Sequence, residues 1–413
     1  MRRVIFVALV GLIVLAPIPY GTFDPWWKAA FVCAVFGICI LAIIEWAIGG
    51  SSYVGPVEIL LPLLALAAYA FLQTRGISAD PYQTRFFALQ CLALTACLAL
   101  LYRYADTEGR KRVLIYVVIA VAVVSSIFGI VRQTMQQQPL GFVLPMLKRN
   151  QGYAQFINKN HFAYLMEMAL GLVLGLVLGR GIRRDRLMVY LSLLAPIWIA
   201  LVLSNSRGGI VAMLTQVVLC GLLLVKGQTS RVAVIVVLIA GVLMGTLWVG
   251  GDRLASNIES ASTDFAGDTT RDGASRNEIW RATLKMFAAH PIAGVGLGGY
   301  WIAITAYHDA SGNLTPQEAH NEYLELLSSG GLIGLAIGVW FAVAVVRRIQ
   351  VNLITYDAVR LGAVIGIVGV VVHSLVDFGL HLLGNALVFL VLIMLATNTG
   401  EGPAAKKVVD LNT

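Results

Sequence analysis

The sequence predicts an all-α polytopic membrane protein with about twelve transmembrane helices, each needing roughly 20 apolar residues. Composition is the first reason. Of 413 residues 58% are hydrophobic and only 13% charged, and mean hydropathy is +0.81, whereas a soluble domain is about a quarter charged. Segmentation is the second reason, because apolar runs of spanning length follow one another along most of the chain. Lipid offers no partner for backbone N–H and C=O groups, so runs of this kind are helices. The period-two alternation of a β-barrel is missing from them.

The first apolar run, about 4–19, lacks a convincing small-residue cleavage site and reads as a retained helix. Runs at about 27–49, 56–73, 86–104 and 112–131 follow, then a long connection over roughly 132–160. The next are 161–179, 187–203, 209–225 and 232–250. A second long connection, 251–322, precedes 323–346, 361–376 and 380–397. The chain thus reads as a single integral membrane domain, 1–413, with its longest loop between helices 9 and 10. Within that loop Ser275-Arg276-Asn277-Glu278 fits a capping box. Ile279, Thr283, Met286 and Phe287 fall at helical spacing, and Pro291 blocks continuation. An amphipathic helix over about 276–289 is expected, lying on the outer membrane surface or packed over the bundle.

Lys and Arg set the orientation. With the N-terminus inside, inner segments hold 17 of the 30 basic residues and the short outer loops hold 7. That bias places both termini in the cytoplasm and the 251–322 loop outside, as does an even number of spans. The net charge of +8 is mostly this topological signal, and no basic–aromatic platform for nucleic acid is present. Cys33, Cys39, Cys91, Cys97 and Cys220 all lie in apolar runs without CxxC or Cys/His spacing, so they read as packing material. No metal or cofactor motif occurs. Gly294-Val-Gly296-Leu-Gly298-Gly299 satisfies GxGxxG, yet it follows a helix and His290-Pro291 where a dinucleotide fold needs a strand. It reads as a turn that lets backbone approach a ligand or the membrane.

Two polar clusters sit at outer helix mouths. One is Gln317-Glu318-Ala-His320-Asn321-Glu322-Tyr323-Leu-Glu325, and the other is Asn158-Lys159-Asn160-His161-Phe162. Ionisable groups are costly in lipid, so such clusters point to function, with an interfacial collar as the alternative. Ser204-Asn-Ser206-Arg207-Gly208-Gly209, Arg276-Asn-Glu-Ile-Trp280, His290-Pro291 with its glycine run, and His320-Asn321-Glu-Tyr323 followed by Gly330-Gly331-Leu-Ile-Gly334 resemble the O-antigen ligase and Wzy-type polysaccharide polymerase superfamily, which also holds protein O-oligosaccharyltransferases. The resemblance runs over about 150–395. Asn158–Ala163 and His373-Ser-Leu-Val-Asp377-Phe378 look most like its exopolysaccharide-polymerase branch.

The resemblance implies a GT-C type fold in a bacterial inner membrane. It implies an undecaprenyl-diphosphate-linked oligosaccharide donor, a glycan or lipid A-core acceptor, and an active site facing the periplasm. Chain-length or envelope-assembly proteins are the partners implied, beside membrane lipid. His320, Arg207 and Arg276 are the expected catalytic residues, and Lys159, Asn160, His161, Trp280, Asn321, Glu322 and Tyr323 the expected substrate-binding ones. The chemistry suits them. Guanidinium forks can stabilise a departing diphosphate without a metal, and an imidazole can take or orient a sugar hydroxyl proton. Inversion by single displacement is expected, since no positioned carboxylate nucleophile is evident. Glu318 or Glu322 could orient His320.

Plainer readings stand beside these. Arg207 could snorkel, Arg276 could be solvated, and Lys159 and His161 could anchor at the interface. Arg281 and Lys285 suit lipid headgroups. His373 and Asp377, four apart, read as a structural pair on one helix face. A transporter for the same lipid-linked sugar and a non-catalytic scaffold remain as other classes, although no internal repeat supports the transporter.

Overall fold

A computed structural model describes residues 1–49, 53–134, 147, 152–178, 187–224, 240, 276–308, 316–351 and 357–398. All regular structure among them is helical; the nearest thing to a strand is one isolated bridge between Tyr153 and Phe156. In chain order the helices are α1 (Arg2–Leu15), α2 (Pro25–Ala47), α3 (Val57–Gln73), α4 (Pro81–Tyr104), α5 (Glu108–Thr134), α6 (Lys159–Leu178), α7 (Leu187–Leu203) and α8 (Arg207–Leu224). Then come α9 (Arg276–Ala289), the short α10 (Tyr300–Ala303), α11 (Glu322–Val351), α12 (Ala358–His373) and α13 (Leu383–Thr397).

Local chemistry sets the ends. Asp24, Asp80 and Asp357 each accept a hydrogen bond from a first-turn backbone N–H, and Pro25 and Pro81 occupy the first position of α2 and α4, where no N–H is needed. The Asp80 cap starts α4 several residues before the apolar run expected at 86. Pro17 and Pro19 lie just past the end of α1, which stops short of the expected residue 19. The run at 232–250 and Ser275 of the capping box lie outside the described residues. The amphipathic helix forms at Arg276–Ala289 and buries Ile279, Ala282, Thr283 and Met286 against the helix bundle.

Among the described residues, five helices are long and apolar enough to cross a membrane: Pro25–Ala47, Pro81–Tyr104, Glu108–Gln133, Lys159–Val177 and Glu322–Gln350. Five further apolar helices there are shorter, at 10–17 residues. Ile40, Ile43, Val124 and Val339 point outward, each more than half exposed. A surface this apolar belongs against lipid, and the protein is a helical membrane protein. The most enclosed of the five is α6. Its Gly171 and Gly175 cross Gly366 and Gly362 of α12 so closely that a Cβ on Gly171 would lie 2.3 Å from the Gly366 nitrogen. Small residues thus bring two backbones together where hydrophobic transfer gives no drive.

The two ends of the bundle differ in character. One gathers basic residues: Arg103 pairs with Glu45, Arg2 and Arg110 with Asp106 at 2.8 and 2.9 Å, and Arg348 with Glu58 at 3.1 Å. The other collects the turns after α1, α3, α7 and α12 together with the 152–158, 291–308 and 316–321 segments. At that end the glycine run corrects the expectation that it meets a ligand or the membrane. Val295 and Gly296 donate to the carbonyls of Ser328 and Ser329, and Leu332 and Ile333 donate back to Pro291 and Ile292. Two backbones lie against each other at a kink in α11 centred on Gly331. Gly294 and Gly331 both have positive φ, and a Cβ on either would fall within 2.3 Å of a carbonyl oxygen. Tyr69 and Gln73 of α3 bind the carbonyls on either side of this joint.

Candidate active site

The kink positions the start of α11, and that start positions His320. Asn321 caps the helix by accepting from the N–H groups of Tyr323 and Leu324 at 3.0 Å, and its side-chain amide donates to Leu375 O at 2.8 Å. Glu322 N donates to Ser374 O. On the other flank Trp280 of α9 donates to Ala319 O at 2.9 Å, while Ala319 N donates to the Glu325 carboxylate. Held from both sides, His320 adopts φ 50°, a left-handed conformation costly for a residue with a Cβ. Strain of this kind persists only where surroundings impose it. Here they aim the imidazole at Asp377.

Asp377 is the hub. It lies in the turn after α12 and is wholly buried. Its Oδ2 accepts from Asn160 and lies 3.4 Å from Arg276 Nη2 and 3.9 Å from His320 Nδ1. Its Oδ1 accepts from Phe378 N at 2.9 Å and lies 3.7 Å from His161 Nε2. Burial pushes the Asp377 carboxyl up, but the imidazoles of His320 and His161 outweigh burial and hold it well below the usual carboxylate range. It is therefore an anion among five nitrogen groups. Phe378 wedges edge-on against His161 and His320, with ring centroids 4.8 and 4.9 Å away, fixing both ring planes.

The pairing expected between His373 and Asp377 is not what forms. Helix α12 ends at His373, so Asp377 leaves the helical face. His373 instead meets Glu167 of α6 at 3.1 Å and stacks on Tyr164. Nor do Glu318 and Glu322 orient His320. They turn to His381, with Glu318 3.3 Å from its Nδ1 and Glu322 and Glu325 at 3.2 and 3.6 Å from its Nε2. Burial opposes a charge on His381, yet the carboxylates of Glu325, Glu322 and Glu318 overcome it and raise the imidazole well above the ordinary histidine range. Glu318 answers in kind: burial lifts its carboxyl, and His381 more than reverses this, bringing it down to about 2. Glu318, Glu325 and His381 also present ligand atoms within 4.8 Å of one another, a spacing a divalent cation could use.

Of the residues singled out in the sequence, the structure joins Asn160, His161, Arg276 and His320 around one carboxylate. Lys159 opens α6 within electrostatic reach of Arg207 and Arg276. Arg207 opens α8, half-buried, and the next residue, Gly208, packs against the His373 ring. The polar atoms of Trp280, Asn321, Glu322 and Tyr323 are engaged in bonds that shape the site. Beside His320 lies a cavity of about 210 Å³. His161, His320 and Phe378 line its inner side; Asn158, Gln317 and Glu318 line its rim; Tyr20, Phe23 and Ile157 complete the wall.

Residues 191–339 match the family model Wzy_C, O-Antigen ligase. The chain carries an O-antigen ligase domain. The matched domain runs from α7 into α11 and contains Arg207, Arg276 and His320. Asp377, His161 and Asn160 lie outside it, so the site is completed by flanking helices. The matched stretch, about a third of the chain, supports a membrane enzyme of the O-antigen ligase and polymerase type. Comparison with curated proteins gives no match.

Proposed function

We propose that this protein transfers a glycan from undecaprenyl diphosphate to a sugar hydroxyl on the periplasmic side of a bacterial inner membrane, as a Wzy-type polysaccharide polymerase. The convergence of His320 and Arg276 on the buried Asp377 carries the reading. An imidazole that faces an anion through Nδ1 has Nε2 free to accept the proton of an acceptor O–H as that oxygen attacks the anomeric carbon. Proton and bond move together, since a sugar hydroxyl is too weak an acid to ionise beforehand. Asp377 stabilises the imidazolium that results. The anomeric C–O bond breaks with its electron pair leaving on the lipid diphosphate, and Arg276, Arg207 and Lys159 offset the growing negative charge. Displacement of this kind inverts the anomeric centre.

Twelve spans in a GT-C arrangement, with both termini cytoplasmic and a periplasmic 251–322 loop, fit the separation of a basic bundle end from the end that holds the site. The family model's description favours a second reading, an O-antigen ligase that joins the glycan to lipid A-core. Purified protein supplied with lipid-linked oligosaccharide alone, then with lipid A-core added, separates the two. A ladder from donor alone means polymerase, and product only with the core means ligase. In either case His320→Ala should remove about two to four decades of rate, the usual size of acid–base catalysis. Full transfer by that variant would end the catalytic reading of His320. Activity should persist in excess chelator; its loss there would assign a cation to Glu318, Glu325 and His381 in place of metal-independent chemistry.

A further inference from the structure

We infer that the cavity beside His320 is a subsite for a single neutral sugar ring, the acceptor, with Phe23 as its apolar platform and Asn158 and Gln317 as its hydroxyl readers. The inference deepens the transferase reading above and rests on it. Charge is the first argument. Lys159, Arg207 and Arg276 are missing from the lining, whose charged rim residue is the carboxylate Glu318. Lys28, over the Phe23 ring and near Glu318, offsets that carboxylate, so the site has no excess of positive charge to draw a diphosphate, while uncharged hydroxyls would be satisfied by amides, a carboxylate and two imidazoles. His320 borders both this cavity and the Asp377 hub beside Arg276. A residue that takes the acceptor's proton as the donor's leaving group departs has to stand at such a border.

Size and lining agree with one ring. About 210 Å³ lies below the roughly 300–1,000 Å³ of pockets for drug-sized ligands. Apolar surface from Tyr20, Phe23, Ile157 and Phe378 faces a few polar groups, the usual make-up of a small-molecule site. His161 gives further support. It is 4% exposed and lines the cavity, and its Nε2, 3.7 Å from Asp377 Oδ1, makes no hydrogen bond there. A buried polar atom left in this condition costs stability unless a ligand satisfies it.

The loop that brings Phe23 is held from several sides. Tyr20, Gly21 and Thr22 all have positive φ, at 57°, 71° and 62°. Thr22 Oγ1 donates to Ala16 O at 2.6 Å, and Gly384 N donates to Gly21 O. A Cβ on Gly21 would strike the Phe156 ring. Three consecutive left-handed residues are kept in place by contacts from α13 and the 152–158 segment, and they leave Phe23 37% exposed at the mouth. Lys28 Nζ lies 5.8 Å from the centroid of this ring on one face, which leaves the other face for the C–H surface of a sugar.

The test uses the full chain in lipid nanodiscs. The probe is a soluble oligosaccharide released by mild acid from the source strain's lipid-linked repeat, titrated by saturation-transfer difference NMR. Wild type should bind it saturably, Phe23→Ala and Gln317→Ala should each weaken binding about tenfold or more, and Phe23→Trp should restore it. Inorganic pyrophosphate, titrated against the same variants, should bind as it does to wild type. Absence of saturable oligosaccharide binding to wild type, or unchanged binding by both weakening variants, overturns the subsite. Unchanged binding by the variants with transfer intact would leave the transferase reading standing. Wild type that binds the oligosaccharide through Phe23 but transfers no glycan would do the reverse.

Discussion

Replacing Asp377 by asparagine removes one charge and almost no volume, so it tests what the carboxylate does for His320 with the packing of the hub retained. The separation of 3.9 Å corresponds to about 4 kcal/mol of gross attraction toward an imidazolium at an effective dielectric near 20. About a third of the His320 side chain is open to solvent, which screens part of this, and roughly 2 kcal/mol remains. At 1.36 kcal/mol per decade that is a fall of about 30-fold in the rate of the transfer step. The amide oxygen of the substituted side chain can still accept from Phe378 N, so the turn should survive. Purified Asp377→Asn, given saturating lipid-linked oligosaccharide, would be assayed by sizing its products, with its thermal midpoint measured alongside. A variant within about threefold of wild type, equally stable, would refute the role given to the carboxylate.

Other outcomes follow from the same geometry. Arg276→Lys and Arg207→Lys keep charge but lose the planar fork, so each should cost orders of magnitude in transfer while the protein still folds; near-normal turnover in both would make them surface cations. His381 binds its proton more tightly folded than unfolded, so its contribution to stability is full below about pH 6.5 and is lost as pH rises through its raised folded value. Thermal midpoints in detergent should therefore decline across that alkaline range in wild type, and the decline should flatten in His381→Gln. Gly171→Ala places a methyl 2.3 Å from a backbone nitrogen of α12, and overpacking of this kind costs about 1–3 kcal/mol, visible as a lowered unfolding temperature. A cysteine at Gln317, in a background without the five native ones, should react with an impermeant maleimide added outside the cell; labelling only after lysis would invert the topology.

Hydropathy made the helices legible, because lipid leaves a long apolar run little else to become. Proline and aspartate at helix ends then moved boundaries by a few residues, as at Pro17 and Asp80. Half of the site was legible for a related reason: Arg276, His161 and His320 are costly residues at helix mouths, and cost flags function. Asp377 escaped because spacing i, i+4 suggested a helical pair with His373, and only the actual end of α12 at His373 breaks that pairing. His381 escaped because its three carboxylate partners sit some sixty residues away in sequence, beyond any local pattern. The loop at Tyr20–Phe23 carries no ionisable group of the kind that is costly at a helix mouth, so nothing in composition marked it. The glycine run marks a place of close approach, but what approaches is the backbone of α11 around Gly331, a partner that no local pattern shows.

The carboxylate hub sits at the tip of the α12–α13 hairpin, which leaves the ribosome after every motif of the matched domain has been made. Until that hairpin inserts, the nascent protein has Arg276 and His320 but lacks Asp377 beside them and Phe378 to fix the imidazole planes. The proposed chemistry is thereby tied to the completion of biogenesis. On the proposed transferase reading, a chain stalled after α11 would carry the cationic groups assigned to the lipid diphosphate without the carboxylate assigned to the proton transfer, and it would be a poor catalyst until the hairpin is in place.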